Sequence, residues 1–288
     1  MTALDLGAFD RPILICGGAY GNLPALEALA AFQRRAGIQD SHVIHTGDAV
    51  AYCANTEAAT QFIASRGWHA IKGNVEEQIA AGAADCGCGF EEGSACDVAS
   101  ARWYAHAVAT LSADSKAWMA GLPSHLTFEM SGVRAAVVHG SFRQTNRFMW
   151  ASLPEAEFTS ELDASGSDLM IAGHTGIPFT RQIGNRCWHN SGALGMPAND
   201  GTQRVWVSVI SPADRGVAIT HHALTFEAAP AAAAIRRDGL PAGYADGLET
   251  GLWPSLDILP AVERIATGKA LELDARTFTF TRQAIAAE

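Results

Sequence analysis

Leu169-Met170-Ile171-Ala172-Gly173-His174-Thr175-Gly176 is an apolar run that stops abruptly in a small-residue turn carrying a histidine. A buried strand released in this way sets an imidazole at the carboxyl edge of a sheet, where open α/β sheets place their sites. The same arrangement occurs three times upstream. Thr46-Gly47-Asp48 follows Val43-Ile44-His45, Gly73-Asn74 follows His69-Ala70-Ile71-Lys72, and His139-Gly140 follows Ala135-Ala136-Val137-Val138. Each has a plainer reading alone: a turn aspartate capping the next segment, or a histidine that merely closes a strand. Together, Asp, Asn, His and His at successive strand ends form a hard-to-borderline metal shell.

The surrounding chain supplies the sheet. Ile13 to Cys16 reads as a short strand after Arg11-Pro12, and Asn22 as the N-cap of a helix from Leu23 to about Arg35, with Pro24 and Glu27 in its first turns. A strand near His42 to His45, a helix from Thr56 to Ser65 and a strand from Gly67 to Gly73 complete a βαβαβ signal for a largely parallel sheet. Helices are predicted over 98–109 and 115–121. Leu126–Met130 and Val133–Val138 form a hairpin about Ser131-Gly132, and 151–165 is a helical connection back to the opening strand.

Composition narrows the function classes. At 288 residues, 48% hydrophobic and 17% charged, the chain can bury a large core. A net charge of −10 and a pI near 5.4 argue against a nucleic-acid-binding surface, which needs clustered Lys and Arg. Met1 to Arg11 lacks a basic region followed by an apolar run, and no stretch approaches the length of a membrane span. The expectation is a cytosolic protein with a small-molecule substrate, and a homo-oligomer is compatible with it.

The ordered strand-end set, with Gly21-Asn22-Leu23-Pro24-Ala25-Leu26 after the first strand, resembles the calcineurin-like metallophosphoesterases, specifically a small bacterial branch. The resemblance spans roughly residues 12 to 210. It implies a sandwich of two mixed β-sheets flanked by helices, formed by a single domain over 1–288. Residues 85–97 would be a Cys/Gly-rich insertion and 212–288 a C-terminal strand and helix extension. In that family Asp48 corresponds to the carboxylate bridging two metals, while Asn74, His139 and His174 correspond to ligands of the second. The resemblance therefore implies a metal shell of Asp48, Asn74, His139 and His174.

The departures are ordered too. The family's Asp and His before Gly-Asn fall on Gly18 and Tyr20, and its second His after Gly-His falls on Gly176. Those are the three ligands private to the first metal. Tyr20 reads as a packed or site-lining tyrosine, with a phenolate ligand to a ferric ion as the alternative. Val75 stands where the family places a His that stabilises the transferred phosphoryl group. A single positioned donor is worth about 10²–10³ in rate, so ordinary phosphomonoesterase activity should be weak. Glu76 and Glu77 read as solvated first-turn acids that suit a helix dipole.

Outside the resemblance, Cys86, Cys88 and Cys96 lie within a glycine-interspersed segment read as a mobile loop. They can chelate a soft metal with His106 or Asp97 as a further ligand, form a disulfide, or be incidental. Cys16, Cys53 and Cys187 read as buried and inert. Asn22, Arg143 and Arg147 are candidate substrate-binding residues, the arginines as a phosphate or carboxylate clamp. His189 is expected to pack beneath the site, and Trp253 on the core or a neighbouring subunit. The resulting expectation is a metal-dependent hydrolase of a phosphoester or related small substrate at a one-metal site, holding one divalent or trivalent ion (Zn, Mn or Fe). The alternatives are a non-catalytic metal- or ligand-binding module and an iron or copper oxidoreductase using the cysteine loop.

Overall fold

Successive side chains on a strand point to opposite faces, and the two central strands show what this chain buries on each. In β2 (Ile13–Cys16), Ile13 and Ile15 join a core shared by the two sheets, whereas Leu14 and Cys16 join a second core beneath helices. In β7 (Leu169–Ala172), Leu169 and Ile171 enter the same shared core, and Met170 and Ala172 face a third cluster under another helix. Strands apolar on both faces must be covered on both faces. The result is a layered helix–sheet–sheet–helix sandwich.

The computed structural model describes residues 2–214, 216–273 and 277–281. In chain order the remaining elements are β1 (Ala3–Ala8), α1 (Leu23–Arg35), β3 (Val43–His45), α2 (Thr56–Arg66), β4 (His69–Ala70), α3 (Asn74–Ala81), α4 (Ala95–Thr110), α5 (Ala113–Gly121), β5 (His125–Met130), β6 (Val133–Val137) and α6 (Glu155–Ser165). After β7 come β8 (Phe179–Ile183), β9 (Arg186–Asn190), β10 (Val205–Ala213), β11 (Gly216–Leu224), α7 (Ala228–Arg237), α8 (Ala242–Thr250), α9 (Ala261–Ala266) and β12 (Thr277–Thr281). One six-stranded sheet has the order β1-β5-β6-β7-β9-β8, the other β12-β11-β10-β2-β3-β4. Both are mixed: β2, β3 and β4 run parallel in one, β6, β7 and β9 in the other, with antiparallel neighbours outside them.

This parallel register brings the strand ends together. Cys16 pairs with His45, which pairs with Ala70, and Val137 pairs with Ile171. The turns beyond these positions therefore emerge along a common edge of the sandwich.

Several elements differ from the sequence-based expectation. Ala3–Ala8 is an edge strand parallel to β5, mostly exposed and lacking a clear apolar alternation. The strand expected over 67–73 is hydrogen-bonded as a ladder only at His69–Ala70. The hairpin after Gly192 pairs Val205–Ala213 with Gly216–Leu224, and α8 and α9 lie in a tail read only as an extension. The end of that extension, residues 282–288, lies outside the described residues. Among the described residues no helix is long and apolar enough to cross a membrane.

Candidate metal centre

Each strand-end glycine lets a side chain turn back across the sheet edge. Gly47 has φ +92°, and a Cβ on it would meet the backbone nitrogen of Gly73 at 2.5 Å and the ring of His139 at 2.8 Å. The next residue in two of these turns is forced into the left-handed region: Asp48 has φ 60° and His174 φ 54°. Such backbone costs about 1–2 kcal/mol per residue for an L side chain. It persists where the surroundings over-determine it, characteristically at functional sites.

His139 is the hub. Its Nδ1 lies 2.7 Å from the carbonyl oxygen of Thr46, so that nitrogen carries hydrogen and donates, leaving a lone pair on Nε2. Around Nε2 stand Asp48 Oδ2, Asn74 Oδ1 and His174 Nδ1, each at 3.1 Å. Asn74 donates from Nδ2 to the Cys86 carbonyl at 2.9 Å, which aims its Oδ1 at the cluster. Donor atoms of Asp48, His139 and His174 lie within 4.8 Å of one another, and all three residues are buried. Four such atoms converging in a buried space form a set that could hold a cation. A mixed imidazole, carboxylate and amide set suits a divalent first-row ion.

The charges of the cluster act on one another. Burial pushes His139 down, but the charge and hydrogen bond of Asp48 and the Thr46 carbonyl more than offset this, and the net direction is up. Burial pushes Asp48 up, and the charge and hydrogen bond of His139, the charge of His174 and the Val75 N–H bring it below the usual carboxylate range. Burial and the neighbouring His139 hold His174 down to about 3, so it offers a neutral ring nitrogen.

Glu76 corrects the sequence reading. It is not a solvated first-turn acid but fully buried. Its Oε2 accepts from the backbone N–H of Gly73 at 2.7 Å and of Asp48 at 2.8 Å, and its Oε1 from that of Ala49 at 2.7 Å. Burial first, then the charge of Asp48, lift its pKa to about 7 against the opposing pull of those N–H groups. The carboxylate ties the Asp48 turn to the start of α3, where Asp48 Oδ1 also accepts from Val75 N at 3.3 Å. A Glu at the third position of a helix is a recognisable cap signal; its reach across to a second strand end is not local and could not be read.

The cysteine segment also differs from a mobile loop. Cys86 and Cys88 form a disulfide and are buried, with Cys88 Sγ 3.3 Å from Asn74 Nδ2. Cys96 is a free thiol in the first turn of α4. His106 lies 3.2 Å from the Ala54 carbonyl and Asp97 accepts from Gly93 N, so neither sits in a four-ligand set with the thiols. Asn22 caps α1 through Ala25 N and donates to the Gly195 carbonyl at 3.0 Å. Arg143 pairs with Glu161, and Arg147 with Glu157 and Glu161 of α6. None of these three lines the cavity beside the cluster.

That cavity, about 140 Å³, opens on Asp48 and His174 and is walled by Tyr20, Tyr52, Phe148, Tyr244 and Trp253, with Cys88 and Cys96 at its edge. Trp253 belongs to the tail, and its place in this wall goes beyond packing on the core. Its indole donates to the Pro197 carbonyl at 2.7 Å, and its ring lies 3.3 Å from where a Cβ on Gly176 would stand. The ring of Tyr20, itself at φ 53°, comes within 2.2 Å of where a Cβ on Gly18 would stand. His189 is buried, 2.9 Å from the Thr180 hydroxyl that also meets His221. Asn190 braces the His174 turn through the Gly173 carbonyl at 2.8 Å.

A sandwich of two mixed sheets with histidines, Asp and Asn gathered at its strand ends defines a metallophosphoesterase fold. The family model for the calcineurin-like phosphoesterase superfamily domain matches residues 23–211, and the chain belongs to that family. The structure is similar to that of a metallophosphoesterase from Sphaerobacter thermophilus, with 21% identity, a TM-score of 0.66, and 85% of this chain and 100% of that one covered. It is also similar to a hypothetical protein from Pyrococcus horikoshii OT3, with 13% identity, a TM-score of 0.71, and 84% and 99% covered. No curated protein matches the sequence.

Proposed function

We propose that this chain is a metal-dependent hydrolase of a phosphoester or related small substrate, working through a single metal ion held by Asp48, Asn74, His139 and His174. The observation that carries the reading is the convergence of Asp48 Oδ2, Asn74 Oδ1 and His174 Nδ1 on His139 Nε2, each at 3.1 Å. Held by these four residues, a divalent ion would supply a Lewis acid for a phosphoryl oxygen and a bound water of lowered pKa. The chain's own residues prepare the site. Thr46 fixes the tautomer of His139, the Cys86 carbonyl fixes the amide of Asn74, and Glu76 fixes the turn that presents Asp48. Outer-shell partners of this kind typically change metal affinity or activity 10–100-fold when removed.

Room for a second ion is the point on which the reading departs from the two-metal pattern. Tyr20 and Trp253 put aromatic rings against Gly18 and Gly176, where the family pattern has ligands. The test is metal content per chain by mass spectrometry, for the wild type and for His174→Ala, with turnover measured on a panel of phosphoesters. About one ion, lost in the variant, with slow hydrolysis lost alongside it, supports the proposal. Two ions, or full turnover in the variant, defeat it. Metal without turnover moves the binding module to the front.

The oxidoreductase reading keeps one supporting observation, the Cys86–Cys88 disulfide touching the Asn74 amide. Iron or copper as the native ion, with its spectrum altered by reduction of the Cys86–Cys88 disulfide, would favour it.

A further inference from the structure

The cavity beside the cluster has a chemistry that the metal shell does not explain. Six side chains set its character: Tyr20, Tyr52, Phe148, Tyr244, Trp253 and Ile258. The rings hold one another. Tyr52 meets Tyr20 edge-on at 4.8 Å and stacks on Tyr244 at 4.7 Å, while Phe148 lies over His174 with centroids 4.3 Å apart and stacks on Trp150 at 5.5 Å. Trp253 is tied at two points, its indole to the Pro197 carbonyl and its backbone N–H to Asn199 Oδ1 at 2.9 Å. These contacts fix the rings of the wall against one another.

Charge is the second observation. Among the described residues no lysine or arginine lines the cavity, and its one acidic group is Asp48. Arg143 and Arg147, which follow His139 in the chain, are paired with Glu157 and Glu161. A divalent ion offset by the Asp48 carboxylate leaves about one positive charge to face a substrate. A phosphomonoester dianion or a nucleotide polyphosphate would find no second cation, whereas a head group with one negative charge is matched.

Size is the third. An apolar cavity of about 150 Å³ takes up benzene, and this one measures about 140 Å³. We infer that the site selects a monoanionic ester, of the phosphodiester type, that carries one compact apolar group about the size of a single aromatic ring. The inference rests on the metal-site reading above for the position of the charged head, and on the aromatic wall for the rest.

Binding of non-hydrolysed probes separates the two. Three ligands are titrated into metal-loaded protein at pH 8.5 by calorimetry: methyl phenylphosphonate, methyl methylphosphonate and phenylphosphonate. The first two share one negative charge and differ by the ring; the first and third share the ring and differ in charge. The ring should tighten binding about 30–100-fold, the gain expected for burying that much apolar surface, and the dianion should bind no tighter than the monoanion. Trp253→Ala should cut the ring preference about tenfold with metal content unchanged, and Trp253→Phe should retain most of it. Equal binding of the ring and methyl probes, or a dianion preferred tenfold or more, overturns the inference. Ring-selective binding with no turnover of any ester would leave this inference standing and sink the hydrolase proposal instead.

Discussion

Gly73→Ala is the substitution that most directly tests the closeness of the strand-end turns. Gly73 has φ −87° and ψ −177°, extended backbone that alanine adopts freely, so any effect is steric. The added Cβ would stand 2.1 Å from Asp48 Oδ1, 2.7 Å from Asp48 N and 2.9 Å from Asp48 Cγ. Asp48 is buried and its N–H is held by Glu76, so the clash cannot be relieved by swinging a free side chain. The carboxylate must retreat by roughly 1 Å, giving up the bond to Val75 N; overpacking of this kind plus a lost hydrogen bond costs about 2–4 kcal/mol. At about 2–4 °C per kcal/mol that lowers the melting temperature by about 4–16 °C. Moving a ligand oxygen should also weaken metal binding at least ~10-fold, the scale of outer-shell damage. Gly121→Ala is the control, because Gly121 is helical, lacks a positive φ and has no atom within 4 Å of its added Cβ. It should stabilise slightly, by about 0.5–1 kcal/mol. Calorimetric melting and competition with a coloured chelator read both effects. If Gly73→Ala melts and binds metal like the wild type, the packing of Asp48 on Gly73 is refuted, and with it the geometry that defines the metal shell.

Three further outcomes are expected. Glu76→Ala strips the acceptor from the N–H groups of Gly73, Asp48 and Ala49 and should weaken metal binding about 10–100-fold. Glu77→Ala, whose carboxylate accepts from the Thr145 hydroxyl, should change it less than about twofold; equal effects from the two would return Glu76 to a surface role. Alkylation of the denatured, unreduced protein should label Cys16, Cys53, Cys96 and Cys187 and spare Cys86 and Cys88, so labelling of all six would remove the disulfide from the site. Acid should destabilise the fold through the buried His189–His221 pair. Burial holds His221 down to about 4, and burial with the nearby His221 holds His189 well below its ordinary value. Only the unfolded chain takes up those protons between pH ~6.5 and ~4, so stability is full above pH ~6.5 and falls toward pH 4. At ~1.36 kcal/mol per pH unit this is worth about 3 kcal/mol for His221. Urea midpoints at pH 7.5 and 5 should differ, and less so in His221→Asn; a wild-type midpoint unchanged by acid would show the pair to be exposed.

What could be read from the sequence was what is encoded locally. An apolar run ended by glycine and a polar residue reports its own strand end, which is why Asp48, Asn74, His139 and His174 were legible without the fold. The start of α1 was legible for the same reason: Asn22, Leu23 and Pro24 carry the cap in adjacent residues. Glu76 was misread because its partners, Asp48 and Ala49, are 28 and 27 residues away in sequence, and a first-turn glutamate looks identical whether it faces water or a second strand end. Arg143 and Arg147 looked like anion clamps because their distance from His139 is short, yet the acids that neutralise them lie on α6. Trp253 lies beyond the matched motifs, and nothing in its neighbourhood announces the cavity it walls.

The departures from the family pattern look like separate losses in sequence and like one rearrangement in space. A side chain at position 18 would need the volume now filled by the Tyr20 ring, since a Cβ there already meets that ring at 2.2 Å. A side chain at position 176 would press on Trp253 at 3.3 Å and would adopt the left-handed φ of +76°. Neither Gly18→Asp nor Gly176→His alone can therefore rebuild a second ligand set, because each leaves an aromatic ring in the way. In this chain the glycines and the rings share one space: each glycine leaves room for an aromatic ring that faces the same cavity. That coupling is why the single-metal reading and the ring-sized, singly charged substrate support each other. On the single-metal reading, the rings beside Gly18 and Gly176 are the wall proposed to grip the apolar part of the substrate. A triple variant that adds Gly18→Asp and Gly176→His to Trp253→Ala should still fail to bind a second ion until Tyr20 is changed as well. Two ions in that triple variant would show that the Tyr20 ring yields and that the two exchanges are independent.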